Sequence, residues 1–342
     1  MQDAKKDIRS MLPEELEAYL AEEYHEPAFR ARQLFRWLQK GVGSFEEMSN
    51  LSKSLREKLE ERCYLAPPQV LRKQVSQQDG TVKYLWRLQD GNAVESVVMR
   101  YRHGNTVCIS SQVGCRQGCI FCASTGLGFI RNLTAGEMLD QVLWSGLDSG
   151  VEITGIVLMG IGEPLENYDQ VMRFLKLVNS PDGLNIGMRH ISLSTCGLVP
   201  EIGLLAEEDL QLTLSISLHA PDDETRRKLM PIARKYDIGE LTRACCDYFA
   251  RTGRRISFEY ALIRDVNDSP EQAKLIARLM QKTHGHLNLI PLNHVEGSPL
   301  IPGDARAFSG LLKDLGVNVT VRRRLGADID AACGQLRRKE AT

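Results

Sequence analysis

Residues 105–122 read NTVCISSQVGCRQGCIFC. The first eight carry the apolar and β-branched types of a buried strand. A glycine-punctuated loop then holds three thiols, Cys115, Cys119 and Cys122, spaced C-x3-C-x2-C. Strand-type runs recur downstream at 152–160 (EITGIVLMG), 189–196 (RHISLSTC), 210–220 (LQLTLSISLHA), 254–263 (RRISFEYALI) and 286–294 (HLNLIPLNH), with 317–324 (VNVTVRRR) as a later strand. Helix starts fall between them. Thr134 and Glu137 form a capping box, with Leu133 and Met138 spaced as a hydrophobic staple. Ser269, Pro270 and Gln272 give a cap, a first-turn proline and a partner three residues on. Six β-then-α units with apolar strands predict an α/β fold with a parallel sheet covered by helices. Six is short of the eight of a closed barrel. The expectation is a partial, open (βα)6 barrel, with a doubly wound sheet as the alternative. In both, ligands gather at the C-terminal strand ends.

The chain before residue 105 reads differently. PEELEAYLAEE and PAFRARQLFRWLQK place apolar residues three and four apart, as helices do. GSFEEM offers a second capping box, Ser44 with Glu47. Residues 1–65 therefore read as a small helical module. Residues 66–104 read as a β-hairpin extension, KYLWRL and AVESVVMRY about the turn signal QDGN. Residues 105–342 make the barrel and its C-terminal segment.

Composition sets limits. The chain has 342 residues, 43% hydrophobic and 25% charged, with net charge -1, an ordinary globular balance. No apolar h-region opens the sequence and no run is long enough to span a bilayer, so a cytoplasmic protein is expected. Nine cysteines in a reducing compartment point to metal binding or catalysis rather than disulfides. Basic residues cluster at Arg30, Arg32, Arg36 and Lys40, at Arg226–Arg227–Lys228, at Arg322–Arg324 and at 337–339. Such runs are usually solvated faces; on one surface they would suit a phosphate backbone.

Three thiolates on one short loop can hold three irons of a cubane cluster and leave the fourth iron open. Zinc is the alternative, but structural zinc takes four ligands, usually as two separated pairs, and the loop has no second C-x2-C. The strand ends offer polar company. Gly160, Gly162 and Glu163 close the second strand in LMGIGEP, a backbone able to approach a ligand closely beside a carboxylate able to accept from an ammonium. Ser194 ends the third strand, Ser217, Leu218 and His219 the fourth, and Asn293 the sixth.

CRQGCIFC, with Phe121 before the third cysteine, resembles the radical S-adenosylmethionine (SAM) superfamily. That resemblance implies a [4Fe-4S] cluster whose open iron chelates SAM, with Gly162, Glu163, Ser194, Ser217, Leu218, His219 and Asn293 around it. CASTGLGFIRNLTAGE, MGIGEPLENYD, SLHAP, LIRDVND, the C-terminal RRRLGADIDAACGQLRRK and the N-terminal FRARQLFRWLQKGVGSFEEM narrow the likeness. Across about the whole chain they resemble the RlmN/Cfr family of RNA adenine methyltransferases. The resemblance implies that Cys333 accepts a methyl group from one SAM. A second SAM, cleaved at the cluster, supplies a radical that takes hydrogen from that methyl. The methylene radical then attacks adenine, Glu95 accepts a proton, and Cys108 attacks the Cys333 sulfur to release the product as a disulfide forms. The implied partners are 23S rRNA, and tRNA at the adenosine beside the anticodon, with a flavodoxin or ferredoxin as electron donor and a monomeric enzyme. GEPLEN, with Pro164, resembles the branch that methylates adenine C2; the C8-methylating branch is the alternative. The chemistry has a physical basis: adenine C2 carries a non-acidic C–H, so a carbon radical is needed, and a second thiol must resolve the thioether adduct. Small residues Ala331, Ala332 and Gly334 leave room around Cys333, in a segment expected to be mobile. Cys63, Cys196, Cys245 and Cys246 have no motif role and read as structural.

Overall fold

Every strand-type run contains a strand. The computed structural model describes residues 5–125, 128–292 and 299–329. In chain order the elements are β1 (Lys6–Asp7), α1 (Pro13–Tyr24), α2 (Ala28–Leu38), α3 (Lys53–Arg62), β2 (Cys63–Tyr64), β3 (Gln69–Val75), β4 (Val82–Arg87), β5 (Ala93–Tyr101), β6 (Gly104–Cys108), β7 (Gln112–Gly114) and β8 (Phe129–Asn132). Then follow α4 (Ala135–Ser149), β9 (Ile153–Leu158), α5 (Tyr168–Asn179), β10 (Ile191–Thr195), α6 (Val199–Glu207), β11 (Thr213–Ser217), α7 (Asp223–Leu229), α8 (Ile238–Thr252), β12 (Ser257–Leu262), α9 (Pro270–Thr283), β13 (His286–Pro291), α10 (Ala305–Asp314) and β14 (Val319–Val321).

One sheet runs β14-β13-β12-β11-β10-β9-β6-β5-β4-β3. From β6 to β14 neighbours are parallel and follow sequence order without reversal. A doubly wound sheet would reverse at a switch point, so the open barrel is the fold. The hairpin is wider than expected: β3 adds a third antiparallel strand, and β5 pairs with β6 to continue the barrel sheet.

The sheet's two faces differ in kind. Ile191, Leu193, Leu214, Ile216, Phe258, Tyr260, Leu287 and Leu289 alternate onto one face and are buried in the core with residues of the helices. The opposite face carries Ser192, Ser194, Ser215, Ser217, Ser257, Glu259, Asn288 and Thr320, aligned by register across β10 to β14. Period-2 alternation produces both faces from the same strands.

Local signals hold as read. Thr134 Oγ1 accepts from the Glu137 amide and Glu137 Oε2 from the Thr134 amide; Leu133 and Met138 are buried. Ser269 caps α9 by accepting from the Gln272 amide. The Ser44–Glu47 box opens only a 3-10 turn, and Ser52 caps α3. The helical module is closed by a short parallel pair, β1 with β2. It docks on the barrel through Arg9, whose guanidinium is buried 3.0 Å from Asp140 of α4 and donates to the carbonyls of Leu38 and Val42.

Candidate active site

The loop after β6 is built by hydrogen bonds that the quoted stretch makes to its own neighbours. The Gly160 amide donates to the Ile109 carbonyl and the Ser111 amide to the Ile161 carbonyl, both at 3.0 Å. A Cβ on Gly160 would lie 2.5 Å from the Ile109 oxygen, and one on Gly162 (φ +111°) 2.6 Å from Gln112 Cβ. The two glycines are thus needed for close approach of the β9 end to residues 109–112, a protein–protein contact that comes before any ligand contact.

Glu163 completes this joint. Its Oε1 accepts from the Leu165 amide (3.0 Å), its Oε2 from the Cys196 amide (2.7 Å), and its own amide donates to Gln112 Oε1 (2.8 Å). The carboxylate is buried, and burial raises its pKa against those hydrogen bonds. Its side chain clamps the end of β9 to that of β10, a role the reading of a free carboxylate for an ammonium did not include.

Cys115, Cys119 and Cys122 sit half-buried on the loop between β7 and β8. The Cys115 amide donates to the Gly128 carbonyl, the Cys122 amide to Cys119, and Thr125 Oγ1 to the Cys119 carbonyl (2.7 Å). Burial pushes the Cys115 thiol up to about 12, opposed by a backbone hydrogen bond from Gln117 and reinforced by Cys122, Glu163 and Glu166. Burial likewise raises Cys119, with Cys122 and Cys115 adding to it. Burial thus keeps the thiols protonated unless a cation holds them. Among the described residues no three His, Cys, Asp or Glu side chains converge on one ion. Ligands that each take a separate iron do not need to converge, so the donor set suits a cubane better than a single zinc.

The strand-end residues meet here. His219 has φ +54°, and its buried ring packs edge-on against Phe121 with centroids 4.4 Å apart. Its Nδ1 accepts from the Ala261 amide (2.9 Å), and Asn267 Nδ2 donates to its carbonyl (2.7 Å). Burial, helped by Arg226, lowers its pKa to about 3, so the ring is neutral with its proton on Nε2. Leu218 is fully buried and its amide donates to the Glu259 carbonyl. Ser194 and Ser217 lie on the polar sheet face. Asn293 and Cys333 lie outside the described residues.

Cys108 and Glu95 share one face. Cys108 is in register with Val97 of β5 and Val157 of β9, and Glu95 stands two residues before Val97. Cys108, Val97 and Met99 form a small buried apolar cluster, with Val157, Met159 and Leu325 against it. Glu95 is 3% exposed and pairs at 2.8 Å with Lys83 Nζ, itself 0% exposed. Leu325 brings the C-terminal segment over this cluster. The segment is then tied to the β3–β4 turn: the Gly326 amide donates to Asp79 Oδ2 (2.8 Å), and Asp328 accepts from Ser76 Oγ (2.6 Å) and the Gln77 amide (2.8 Å). A segment expected to be mobile is anchored at its base.

Sequence reasoning missed Lys83, Glu259, Asn288 and Arg226. Glu259 is buried on the polar face, accepting from Asn288 Nδ2 (2.8 Å). Alternation in SFEYAL and HLNLI marks both positions as one face. Arg226, in a run read as solvated, is 0% exposed. A groove of about 620 Å³ between α1 and the barrel, lined by Lys6, Asp7, Glu15, Tyr19 and Arg173, contains none of these residues.

An open parallel barrel with three thiols on the loop after its first strand is the framework of a radical SAM enzyme. A family model for the radical SAM superfamily matches residues 109–275, and one for the ribosomal RNA large subunit methyltransferase N-terminal domain matches residues 1–65. The solved structure of a radical SAM methyltransferase from Sphaerobacter thermophilus is 43% identical and superposes with TM-score 0.91 over 96% of this chain and 98% of that one. A probable dual-specificity RNA methyltransferase RlmN from Alkaliphilus metalliredigens is 52% identical over 98% of this chain and 96% of its own length. A relative of the same description from Clostridium perfringens is 52% identical over 97% of each. The chain belongs to the RlmN family of radical SAM RNA methyltransferases; it uses a [4Fe-4S] cluster and SAM. Among the described residues no helix is long and apolar enough to cross a membrane.

Proposed function

We propose that the protein methylates C2 of an adenosine in 23S rRNA and of the adenosine 3′ of the anticodon in tRNA, through a methyl group carried on Cys333. The observation that carries this reading is the Cys108 patch: a thiol beside a buried carboxylate, with Leu325 of the C-terminal segment packed over it. Asp328, the anchored residue, is five residues before Cys333, a reach of at most about 18 Å at the extended length per residue.

When bound, the cluster and SAM supply the electron and the carbon radical that hydrogen abstraction requires. The chain's own residues do the rest. Cys115, Cys119 and Cys122 hold three irons. Gly162, Glu163, Ser194, Ser217, Leu218, His219 and Asn293 would hold SAM. The Cys333 thiolate takes a methyl group in an ordinary displacement, releasing S-adenosylhomocysteine. Once that carbon is joined to adenine, the adduct must give up one electron, for which the oxidised cluster would be the acceptor, and Glu95 takes the proton from C2. Cys108 then attacks the Cys333 sulfur; the carbon–sulfur bond breaks, the freed carbon takes up the proton that the Cys108 thiol gives up and so becomes the methyl group, and a Cys108–Cys333 disulfide remains for an external reductant. An electron donor of the flavodoxin or ferredoxin class reduces the cluster, and the enzyme acts as a cytoplasmic monomer. Dual-specificity naming of relatives supports the two RNA substrates. The helical module of residues 1–65 supplies phosphate contacts through residues such as Arg32. Arg30 and Arg36 already pair with Glu26 and Asp182.

The test is to map methylated adenosines in rRNA and tRNA from cells with and without the gene. C2 methylation lost from both RNAs supports the proposal; loss of C8 methylation instead overturns it.

A further inference from the structure

Arg226 lies in α7 within the run Arg226–Arg227–Lys228. Its neighbours behave as a solvated run does: Arg227 and Lys228 are half or more exposed and face Asp223 and Glu224 one turn back. Arg226 turns inward. Its Nη2 donates to the carbonyls of Cys196 (2.7 Å) and Ser217 (3.4 Å), and its Nε to Leu218 (3.3 Å). It thus ties together the C-terminal ends of β10 and β11. Its Nη1 is buried and has no hydrogen-bond partner among the described residues. A buried, unsatisfied N–H of a charged group is costly, so it calls for a partner beyond the described residues.

The surroundings indicate which. The cysteine loop rests on the end of α7: the Ile120 amide donates to the Leu229 carbonyl (3.0 Å), and Gly118 packs toward Pro231. The charge of Arg226 acts on both Cys119 and Cys196. The carboxylates whose charge acts on Cys115 are Glu163, spent on two backbone amides, and Glu166, which accepts from Gln112 and Gln117 and faces Arg116.

We propose that Arg226 is the resident counter-charge of the iron–sulfur cluster, its free Nη1–H donating to a cluster sulfide or to the Cys119 thiolate and so raising the cluster's reduction potential. A cubane on three thiolates becomes more negative on taking the single electron its protein donor supplies. A buried cation and a hydrogen bond to sulfur both favour that reduced state. The inference rests on the cluster, not on the fate of the methyl group, so it stands or falls independently of the RNA chemistry.

The experiment uses full-length protein, reconstituted anaerobically, with arginine labelled by nitrogen-15 in its guanidino group. Pulsed EPR of the reduced cluster without SAM is expected to show a nitrogen-15 hyperfine coupling. Arg116→Lys, which removes the guanidinium carried by the loop itself, should leave it in place. Arg226→Gln should abolish it and shift the oxidised-to-reduced ratio at fixed potential at least tenfold toward oxidised, about 59 mV for one electron. No coupling in the unaltered chain overturns the proposal. So does a coupling that appears only after SAM is added, which would give the guanidinium to the SAM carboxylate. So does Arg226→Gln with full iron content and an unmoved potential. Should Arg226→Gln hold no iron, the spectrum of the unaltered protein decides alone.

Discussion

Lys83→Met takes away the ammonium 2.8 Å from the Glu95 carboxylate and keeps most of the side-chain bulk. Both groups are essentially solvent-free, 0% and 3% exposed, so water does little to compensate. Breaking a buried pair by removing one partner costs about 3–5 kcal/mol, because the remaining charge stays desolvated. Replacing both charges is far cheaper, often close to neutral. The double variant Lys83→Met/Glu95→Gln should therefore regain most of the loss. Lys83 stands opposite Val97, and Val97 opposite Cys108, so the damage falls on the row that holds the candidate thiol. Anaerobic urea unfolding followed by tryptophan fluorescence reads it well: Trp86, on the same strand, is buried and stacked on Tyr84. A loss under about 1 kcal/mol for the single variant, or a double variant no more stable than the single, would refute the view that this ion pair holds the face together.

Other substitutions probe the remaining joints. Gly160→Ala forces a methyl group to 2.5 Å from the Ile109 oxygen and should cost about 1–3 kcal/mol, as overpacking does; an unchanged urea midpoint would count against the close approach. His219, with a pKa near 3 in the fold against about 6.5 unfolded, stays neutral where the unfolded chain is protonated. Its contribution is complete above pH 6.5 and is lost as pH falls toward 3, at about 1 kcal/mol per pH unit. His219→Asn keeps an acceptor for the Ala261 amide and a residue tolerant of positive φ, so its stability should fall less steeply from pH 6.5 to 4; parallel curves would contradict the assignment. Cys63→Ala and Cys245→Ala should retain full iron after anaerobic reconstitution, whereas alanine at Cys115, Cys119 or Cys122 should leave the protein without an intact cluster. Iron retained by any of those three would remove it from the ligand set.

Much of this was legible in the sequence because it depends on short-range pattern. Strand–helix repeats gave the parallel sheet, Thr134 with Glu137 and Ser269 with Gln272 gave helix starts, and the cysteine spacing gave the loop. What stayed hidden depends on register and on distant partners. Lys83 and Glu95 meet only because β4 and β5 pair in a register that sets them diagonally on one face. Arg226 looks like its solvated neighbours until the ends of β10 and β11 offer it three carbonyls. The clamp that Glu163 makes on the Cys196 amide shows only once the ends of β9 and β10 lie side by side. Asp328 finds Ser76 across most of the chain, a contact no local periodicity signals.

The most direct test of the account is mass spectrometry of the Cys333 peptide from purified, cluster-loaded protein incubated with methyl-labelled SAM. The account predicts a labelled methyl group on Cys333 that is lost when substrate RNA is added, with label appearing at adenine C2. Label that reaches RNA while Cys333 is never methylated would contradict it.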